Sequence, residues 1–214
     1  MHAYILLDRS GSMQSLWVEA LSSINAYAKG LTDKSDGYHV DAHLTLAAFD
    51  DQAGLQFDVL RRKTPALHWE KVTDKDATPR GMTPLLDALA RIIALAEADS
   101  PDKAVLVVMT DGQENASREV TREGAKAALE RVKAKGWDIV FLGANFDNFA
   151  DAQTVGVAAA QQMTMAPQAM SASMSRLAAK SRAYSATGSR HAFDEDDRRE
   201  AQEASVKGEK TKKH

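Results

Sequence analysis

The chain has 214 residues, enough for one full-size domain with a substantial core and a further segment. Its net charge of −3 provides no general attraction to nucleic acid, and the absence of cysteine excludes disulfides, thiolate metal sites and cysteine nucleophiles. No apolar run approaches the roughly 20 residues of a membrane span, and the N-terminus lacks the basic region of a signal peptide. We therefore expect a protein of the cytoplasm that binds neither nucleic acid nor membranes.

The chain alternates between strand-like and helix-like apolar patterns. The strand-like stretches are residues 3–8, about 38–49, 55–60, 104–109, 138–142 and about 161–165. Apolar residues at three- and four-residue steps predict helices over about residues 14–31, 84–98, 119–135 and 146–155, and another that starts at Pro167. The third strand follows the second after a short Gly-containing link and precedes Arg61-Arg62-Lys63, which predicts a hairpin with an edge strand.

This order of elements predicts an α/β doubly wound, Rossmann-like fold. The sheet would be mostly parallel, with one antiparallel edge strand and helices on both faces, and the domain would span residues 1–184. From about Ser185 the sequence is rich in charge and has no apolar periodicity, so residues 185–214 are predicted to be a disordered tail. The polar connection over about residues 61–82 contains Trp69, which we expect to pin it to the body.

Three polar clusters fall at one end of the predicted sheet. Asp8, Ser10 and Ser12 follow the first strand, Thr83 precedes the second helix, and Asp111 follows the strand over residues 104–109. Ligands of such sheets bind beyond the carboxyl ends of the strands. The carboxylate and two hydroxyls of the first cluster are oxygen donors, which suit a hard divalent cation, Mg²⁺ before others.

Together the three clusters resemble the von Willebrand factor A (vWA) domain family and its metal-ion-dependent adhesion site. The Asp-x-Ser-x-Ser motif of the family is matched by Asp8, Ser10 and Ser12, its lone threonine by Thr83, and its later aspartate by Asp111. The resemblance implies that Ser10 and Ser12 bind the cation directly and Thr83 directly or through water. Asp8 and Asp111 would act largely through water and by holding the hydroxyls. Mg²⁺ is the expected ion, with Mn²⁺ and Ca²⁺ as alternatives.

The resemblance also implies a function. Residues Gln113-Glu114-Asn115 are similar to bacterial members of intracellular type, some of which serve AAA+ ATPases as adaptors or take part in stress and phage-conflict systems. Mg²⁺ prefers six oxygen ligands, so one position would stay open to an Asp or Glu carboxylate of a protein partner. The sequence leaves the partner's identity and the oligomeric state open.

Each cluster also has a simpler interpretation. Asp8 and Ser10 could cap the helix that follows them, and Thr83 before Pro84 is a good helix N-cap. Asp111 with Gly112 is an ordinary turn dipeptide. Residues 50–51 are both aspartate, and a solvated hairpin turn is favoured for them over a place at the rim of the site.

The leading hypothesis is therefore a non-enzymatic, Mg²⁺-dependent protein-binding module. The sequence has no Gly-x-Ser-x-Gly, Walker or Gly-x-Gly-x-x-Gly motif. The alternative is a Mg²⁺-dependent phosphatase or phosphotransferase of the haloacid dehalogenase type, which also places an aspartate after its first strand. Such an enzyme needs a second aspartate two residues later, and this chain has Ser10 there.

Overall fold

The computed structural model of the chain describes residues 1–143 and 150–206. Within them, one sheet contains β1 (His2–Asp8), β2 (His43–Asp51), β3 (Leu55–Pro65), β4 (Ala104–Met109), β5 (Asp138–Gly143) and β6 (Gln162–Thr164). The spatial order is β3-β2-β1-β4-β5-β6. The β2–β3 pair is antiparallel and the other neighbours are parallel, which confirms the predicted doubly wound α/β fold.

Helices cover both faces of the sheet. They are α1 (Trp17–Gly30), α2 (Leu85–Asp99), α3 (Arg122–Ala134), α4 (Ala150–Thr154), α5 (Met170–Thr187) and α6 (Glu195–Glu200). One apolar layer joins the sheet to α1 and α5, and the other joins it to α2 and α3. Successive residues of β1 enter opposite layers, so the strand is apolar from Ala3 to Leu7. Residues 146–149, which were predicted to start a helix, lie outside the described residues. No described helix is long and apolar enough to cross a membrane.

The hairpin differs from the prediction in its length. β2 begins at His43, and β3 continues through Arg61-Arg62-Lys63 to Pro65. The basic run does not end β3 because a sheet edge tolerates charged side chains. Arg62 and Lys63 instead form ion pairs with Asp99 at the end of α2, with nitrogen–oxygen distances of 2.5 and 2.8 Å.

The end of the chain also differs from the prediction, because residues 185–187 are the last residues of α5 and residues 188–206 fold back toward the sheet, so they are not a disordered tail. The amide of Phe193 donates to the carbonyl of Ala160 at 2.8 Å, and the amide of Ala166 donates to the carbonyl of Ala201 at 2.8 Å. Phe193 and Ala201 are both buried. These contacts lie on either side of the edge strand β6, and the amide of Thr164 within β6 donates to Oε1 of Glu203 at 3.1 Å. The segment thus covers an edge that would otherwise present unpaired backbone groups. Residues 207–214 lie outside the described residues.

His191 fastens this segment to the sheet from a buried position. Its backbone amide and its Nδ1 both contact Oδ2 of Asp138 at the start of β5. Its Nε2 lies 3.1 Å from Oγ of Ser181, which lies 2.9 Å from the hydroxyl of Tyr27. All four residues are buried, so their polar groups form hydrogen bonds with one another in place of water.

His191→Ala should lower the free energy of unfolding by about 2–3 kcal/mol. The substitution removes the ring from Asp138 and Ser181 and leaves a buried cavity. Urea denaturation measures the loss, with the exposed His39→Ala as the matched control. Equal stabilities of the two variants would show that the segment is not held in this way.

Candidate metal centre

Two neighbouring strands bring the first and third polar clusters together. Asp8 is the last residue of β1, and Thr110 follows directly after β4. The two strands are parallel and pair Leu7 with Met109, so their carboxyl ends meet at one edge of the sheet. The hydroxyl of Thr110 donates a hydrogen bond of 2.6 Å to Oδ2 of Asp8. This bond joins the two loops at the point where they leave the sheet.

A chain of oxygen atoms then runs from one loop to the other. The backbone amide of Ser10 donates to Oδ1 of Asp8 at 2.7 Å, which tightens the turn. The hydroxyl oxygens of Ser10 and Ser12 lie 3.0 Å apart. Ser12 Oγ donates to Oδ1 of Asp111 at 2.8 Å. Four of the five predicted ligands are therefore connected directly.

The space above Gly112 brings in the fifth. A Cβ built on Gly112 would lie 2.9 Å from Oγ1 of Thr83, 3.5 Å from Oγ of Ser12 and 3.6 Å from Oδ2 of Asp8. Oxygen atoms from two separate loops thus surround a space that any larger residue at position 112 would fill. This is a cradle of oxygen donors, and its donor set fits a hard divalent cation.

The structure contradicts the capping interpretation of Thr83 and Ser10. The N-cap of α2 is Pro84, not Thr83. Ser10 is the N-cap of a 3₁₀ turn. In neither case does the side chain of the N-cap residue accept a hydrogen bond from the helix that follows. Thr83 is instead held through its backbone amide, which donates to Oδ1 of Asn115 at 2.9 Å. In the first turn of α2, the backbone amide of Leu86 donates its hydrogen bonds to the loop that follows Asp111.

Two carboxylates shape that loop: Glu114, which is half-buried, and Asp87, which is buried. No pattern in the sequence assigned a role to Asp87. Glu114 accepts hydrogen bonds from the backbone amides of Leu86, Ala116 and Ser117. Asp87, on the first turn of α2, accepts hydrogen bonds from the amides of Arg118, Glu119 and Val120. Each carboxylate accepts three backbone hydrogen bonds. Glu114 in the loop binds an amide of α2, and Asp87 in α2 binds amides of the loop, so the two are fixed relative to each other.

An ion cluster supports the site from the other side. Asp50 is fully buried, with Arg9 Nε 2.7 Å from its Oδ1 and Arg80 Nε 3.0 Å from its Oδ2. The amide of Arg80 also donates to the carbonyl of Arg9 at 2.7 Å, and that of Gly11 donates to the carbonyl of Gly81 at 3.1 Å. These bonds tie the loop before Thr83 to the Asp8 turn.

The predicted solvated hairpin turn is therefore wrong for both aspartates at positions 50–51. Asp51 is also buried, and its amide donates to the carbonyl of Met82 at 3.0 Å. The sequence near Asp50 contained only a weak indication that it is buried, namely that it continues the alternating strand without an intervening glycine or proline. Its arginine partners lie about 30 and 41 residues away in the sequence.

Burial raises the pKa values of the two carboxyl groups of the site, which favours the binding of a cation beside them. Burial raises the pKa of Asp8 to about 6, and the hydrogen bonds from Thr110 and Ser10 oppose the shift. Burial also raises the pKa of Asp111, against the hydrogen bond from Ser12. At pH 7 the carboxylate of Asp8 is mostly ionised, and the nearby carboxylate of Asp111 adds to the rise of its pKa, so a positive charge placed between them would favour the ionised form of both.

The hydroxyls are essential to any such site. Among residues 1–143 and 150–206 no group of three or more His, Cys, Asp or Glu side chains could hold a metal ion. A cation in this cradle would therefore depend on Ser10, Ser12 and Thr83 as much as on the two carboxylates.

Several solved structures share this fold. Proximal thread matrix protein 1 from the mussel byssus is 17% identical over 83% of this chain and 46% of that chain, with a TM-score of 0.59. The vWF domain of the type V pili tip protein Mfa5 from Porphyromonas gingivalis is 12% identical over 84% of this chain and 94% of that chain, with a TM-score of 0.60. This chain thus spans less than half of the mussel protein and nearly all of the Mfa5 domain. No curated protein matches the sequence.

Two of the similar structures are described with a metal. Manganese-loaded TRAP protein from Plasmodium vivax is 16% identical over 80% of this chain and 70% of that chain, with a TM-score of 0.56. A structure of the mussel protein with a zinc occupied MIDAS motif is 15% identical over 83% of this chain and 46% of that chain, with a TM-score of 0.57.

A family model covers almost the whole sequence. The model of the von Willebrand factor type A domain matches residues 3–205, and so it includes the segment that covers β6. The match extends past residue 184, the predicted end of the domain. The fold, the strand order and this match agree, and the chain belongs to the von Willebrand factor type A domain family.

Proposed function

We propose that this chain is a metal-dependent protein-binding module with its metal site at Asp8, Ser10, Ser12, Thr83 and Asp111. The observation that carries the proposal is the oxygen cradle above Gly112, to which separate loops contribute. Membership of the vWA family supports it. The metals named for the mussel and Plasmodium structures support a divalent ion at this place, and we propose Mg²⁺ because every donor here is an oxygen.

The residues divide the task by their chemistry. The hydroxyls of Ser10, Ser12 and Thr83 would hold the ion, while Asp8 and Asp111 would orient the hydroxyls and supply negative charge. A bound ion would contribute Lewis acidity and an open position for an oxygen ligand. Because three of the five residues are neutral, the ion would keep part of its charge and attract an Asp or Glu carboxylate of a partner protein.

We propose a binding function without catalysis. A phosphatase of the haloacid dehalogenase type requires a carboxylate at the place where the Ser10 hydroxyl contacts Ser12. A screen with generic phosphoesters should therefore show no turnover. A partner of the kind that the family resemblance suggests is an AAA+ ATPase or a component of a stress or phage-conflict system in the cytoplasm.

Calorimetric titration with Mg²⁺ and with Mn²⁺ tests the metal site. Ser12→Ala should weaken binding by about 10- to 100-fold, because it removes one donor and the orientation of Asp111. Ser15→Ala, an exposed serine one turn further on, is the matched control and should bind as the wild type does. Equal affinities in Ser12→Ala and wild type would refute the assignment.

A further inference from the structure

A cleft of about 420 Å³ lies along the second half of α1. One wall consists of Asn25, Ala26 and Lys29, and the opposite wall is the segment after β3, which includes Leu67 and Trp69. Lys29 is near the end of α1, whereas the candidate metal site lies at its start. With a rise of 1.5 Å per residue the two places are separated by roughly 20 Å along the helix. The cleft is therefore a separate surface.

Asn25 gives the cleft a rigid wall. Its Nδ2 donates to the carbonyl of Val72 at 2.9 Å, and its Oδ1 accepts from the amide of Val72 at 2.9 Å. The same Oδ1 accepts from Nε1 of Trp69 at 3.0 Å, as expected from a tryptophan that pins this connection. One side chain thus holds the opposite wall at three points, and the cleft exists before anything binds to it.

Leu67 stands at the edge of this cleft and is 77% exposed. It lies in a 3₁₀ turn over Ala66–His68, which is fastened by the amide of Ala66 donating to the carbonyl of Ala42 at 2.8 Å. A second cavity of about 290 Å³ lies beside the same residue, and both cavities are lined by Thr32, Ala66 and Leu67. A fixed, exposed leucine between two concave surfaces is the kind of feature that marks a recognition site.

The charge of the larger cleft is one-sided. Lys29 and Lys71 are among its lining residues, and no acidic side chain is. Within the described part of the chain neither lysine forms an ion pair. The cleft therefore offers two free ammonium groups beside an apolar floor, which complements a ligand with both carboxylates and apolar side chains.

We propose that this cleft is a second protein-binding site, which takes an acidic segment of a partner protein. Apolar side chains of the segment would fill the larger cleft beside Leu67, and its carboxylates would pair with Lys29 and Lys71. The smaller cavity, which Asp33 and Asp41 line, would not take the acidic part of the segment. The concave shape and rigid walls favour a peptide segment over an anionic lipid surface, which would need an apolar feature that projects from flat surroundings. The site would act without the metal.

Selection from a phage-displayed library of random 12-residue peptides tests the proposal, with the full chain as bait and EDTA present throughout. The selected peptides should be enriched in Asp and Glu together with aliphatic or aromatic residues. Their binding should shift the fluorescence emission of Trp69, which lines the cleft. The other two tryptophans, Trp17 and Trp137, are each only 4% exposed, so a shift can be assigned to Trp69. EDTA removes the metal site from the measurement, so failure here is distinct from failure of the proposed metal function.

Variants decide whether the peptides use the cleft. Lys71→Glu should weaken the selected peptides by about tenfold, and Leu67→Ser should do so without changing thermal stability. Lys75→Glu, an exposed lysine in the same connection, is the matched control and should bind normally. Peptides without acidic enrichment, equal binding by Lys71→Glu and wild type, or binding only to vesicles with 30% anionic lipid would overturn the proposal.

Discussion

Replacing Asp8 by Asn should remove divalent-cation binding and make the metal-free protein more stable. Burial raises the pKa of Asp8 from its ordinary value of 3.8 to about 6, a difference that corresponds to roughly 3 kcal/mol of unfavourable free energy at pH 7. The amide removes this charge but mispairs with one of the two donors, Thr110 or Ser10, at a cost of about 1–2 kcal/mol. The net gain should be about 1–2 kcal/mol.

The pH dependence of this gain has a definite sign. Because the pKa of Asp8 is raised in the folded state, the folded protein binds the proton more tightly than the unfolded chain does. The destabilisation is complete above pH 6 and disappears as the pH falls from 6 to 3.8. The advantage of Asp8→Asn over wild type should therefore shrink across that range.

Urea denaturation in EDTA at several pH values measures both effects. Asp74→Asn, at an exposed position, is the matched control and should change stability by less than about 0.5 kcal/mol. Adding Mg²⁺ at about 100 times its dissociation constant should stabilise the wild type by about 2.7 kcal/mol and leave the variant unchanged, which reverses their order. A metal-free variant less stable than wild type at pH 7 would contradict the argument.

Asp50→Ala should cause the largest loss of stability, about 3–5 kcal/mol. Asp50 is fully buried and pairs with both Arg9 and Arg80. Among the described residues, its removal leaves the buried guanidinium of Arg9 with Asp58 as its one acidic partner, and the side chain of Asp58 is 53% exposed. An incompletely paired charge in the interior costs far more than a lost surface ion pair.

Asp58→Ala is the matched control for this cluster, because it removes the exposed partner of the same arginine. It should cost less than about 1 kcal/mol by urea denaturation. Asp50→Ala should also weaken Mg²⁺ binding, since Arg9 lies inside the loop that carries Asp8 and Ser10. Similar losses of stability in the two variants would show that Asp50 does not hold the cluster together.

The local sequence was sufficient for the order and type of most elements. β1 and β4 are buried on both faces, so each is an unbroken apolar run, whereas the helices bury one face and show a three- to four-residue period. The polar residues that interrupt these patterns, Asp8 and Thr83 among them, marked the loops that form the candidate site. Parallel strands then place those loops at one edge.

Only the tertiary structure determined how those loops are held. The acceptors for the start of α2 come from Glu114 rather than Thr83, and Asp50 lies between two arginines rather than in solvent. Residues 185–206 are folded by individual contacts such as that of His191 with Asp138, 53 residues away. The reason is physical: a charge or hydrogen bond between residues far apart in the chain leaves no local period, while burial of a helix or strand face repeats along the sequence.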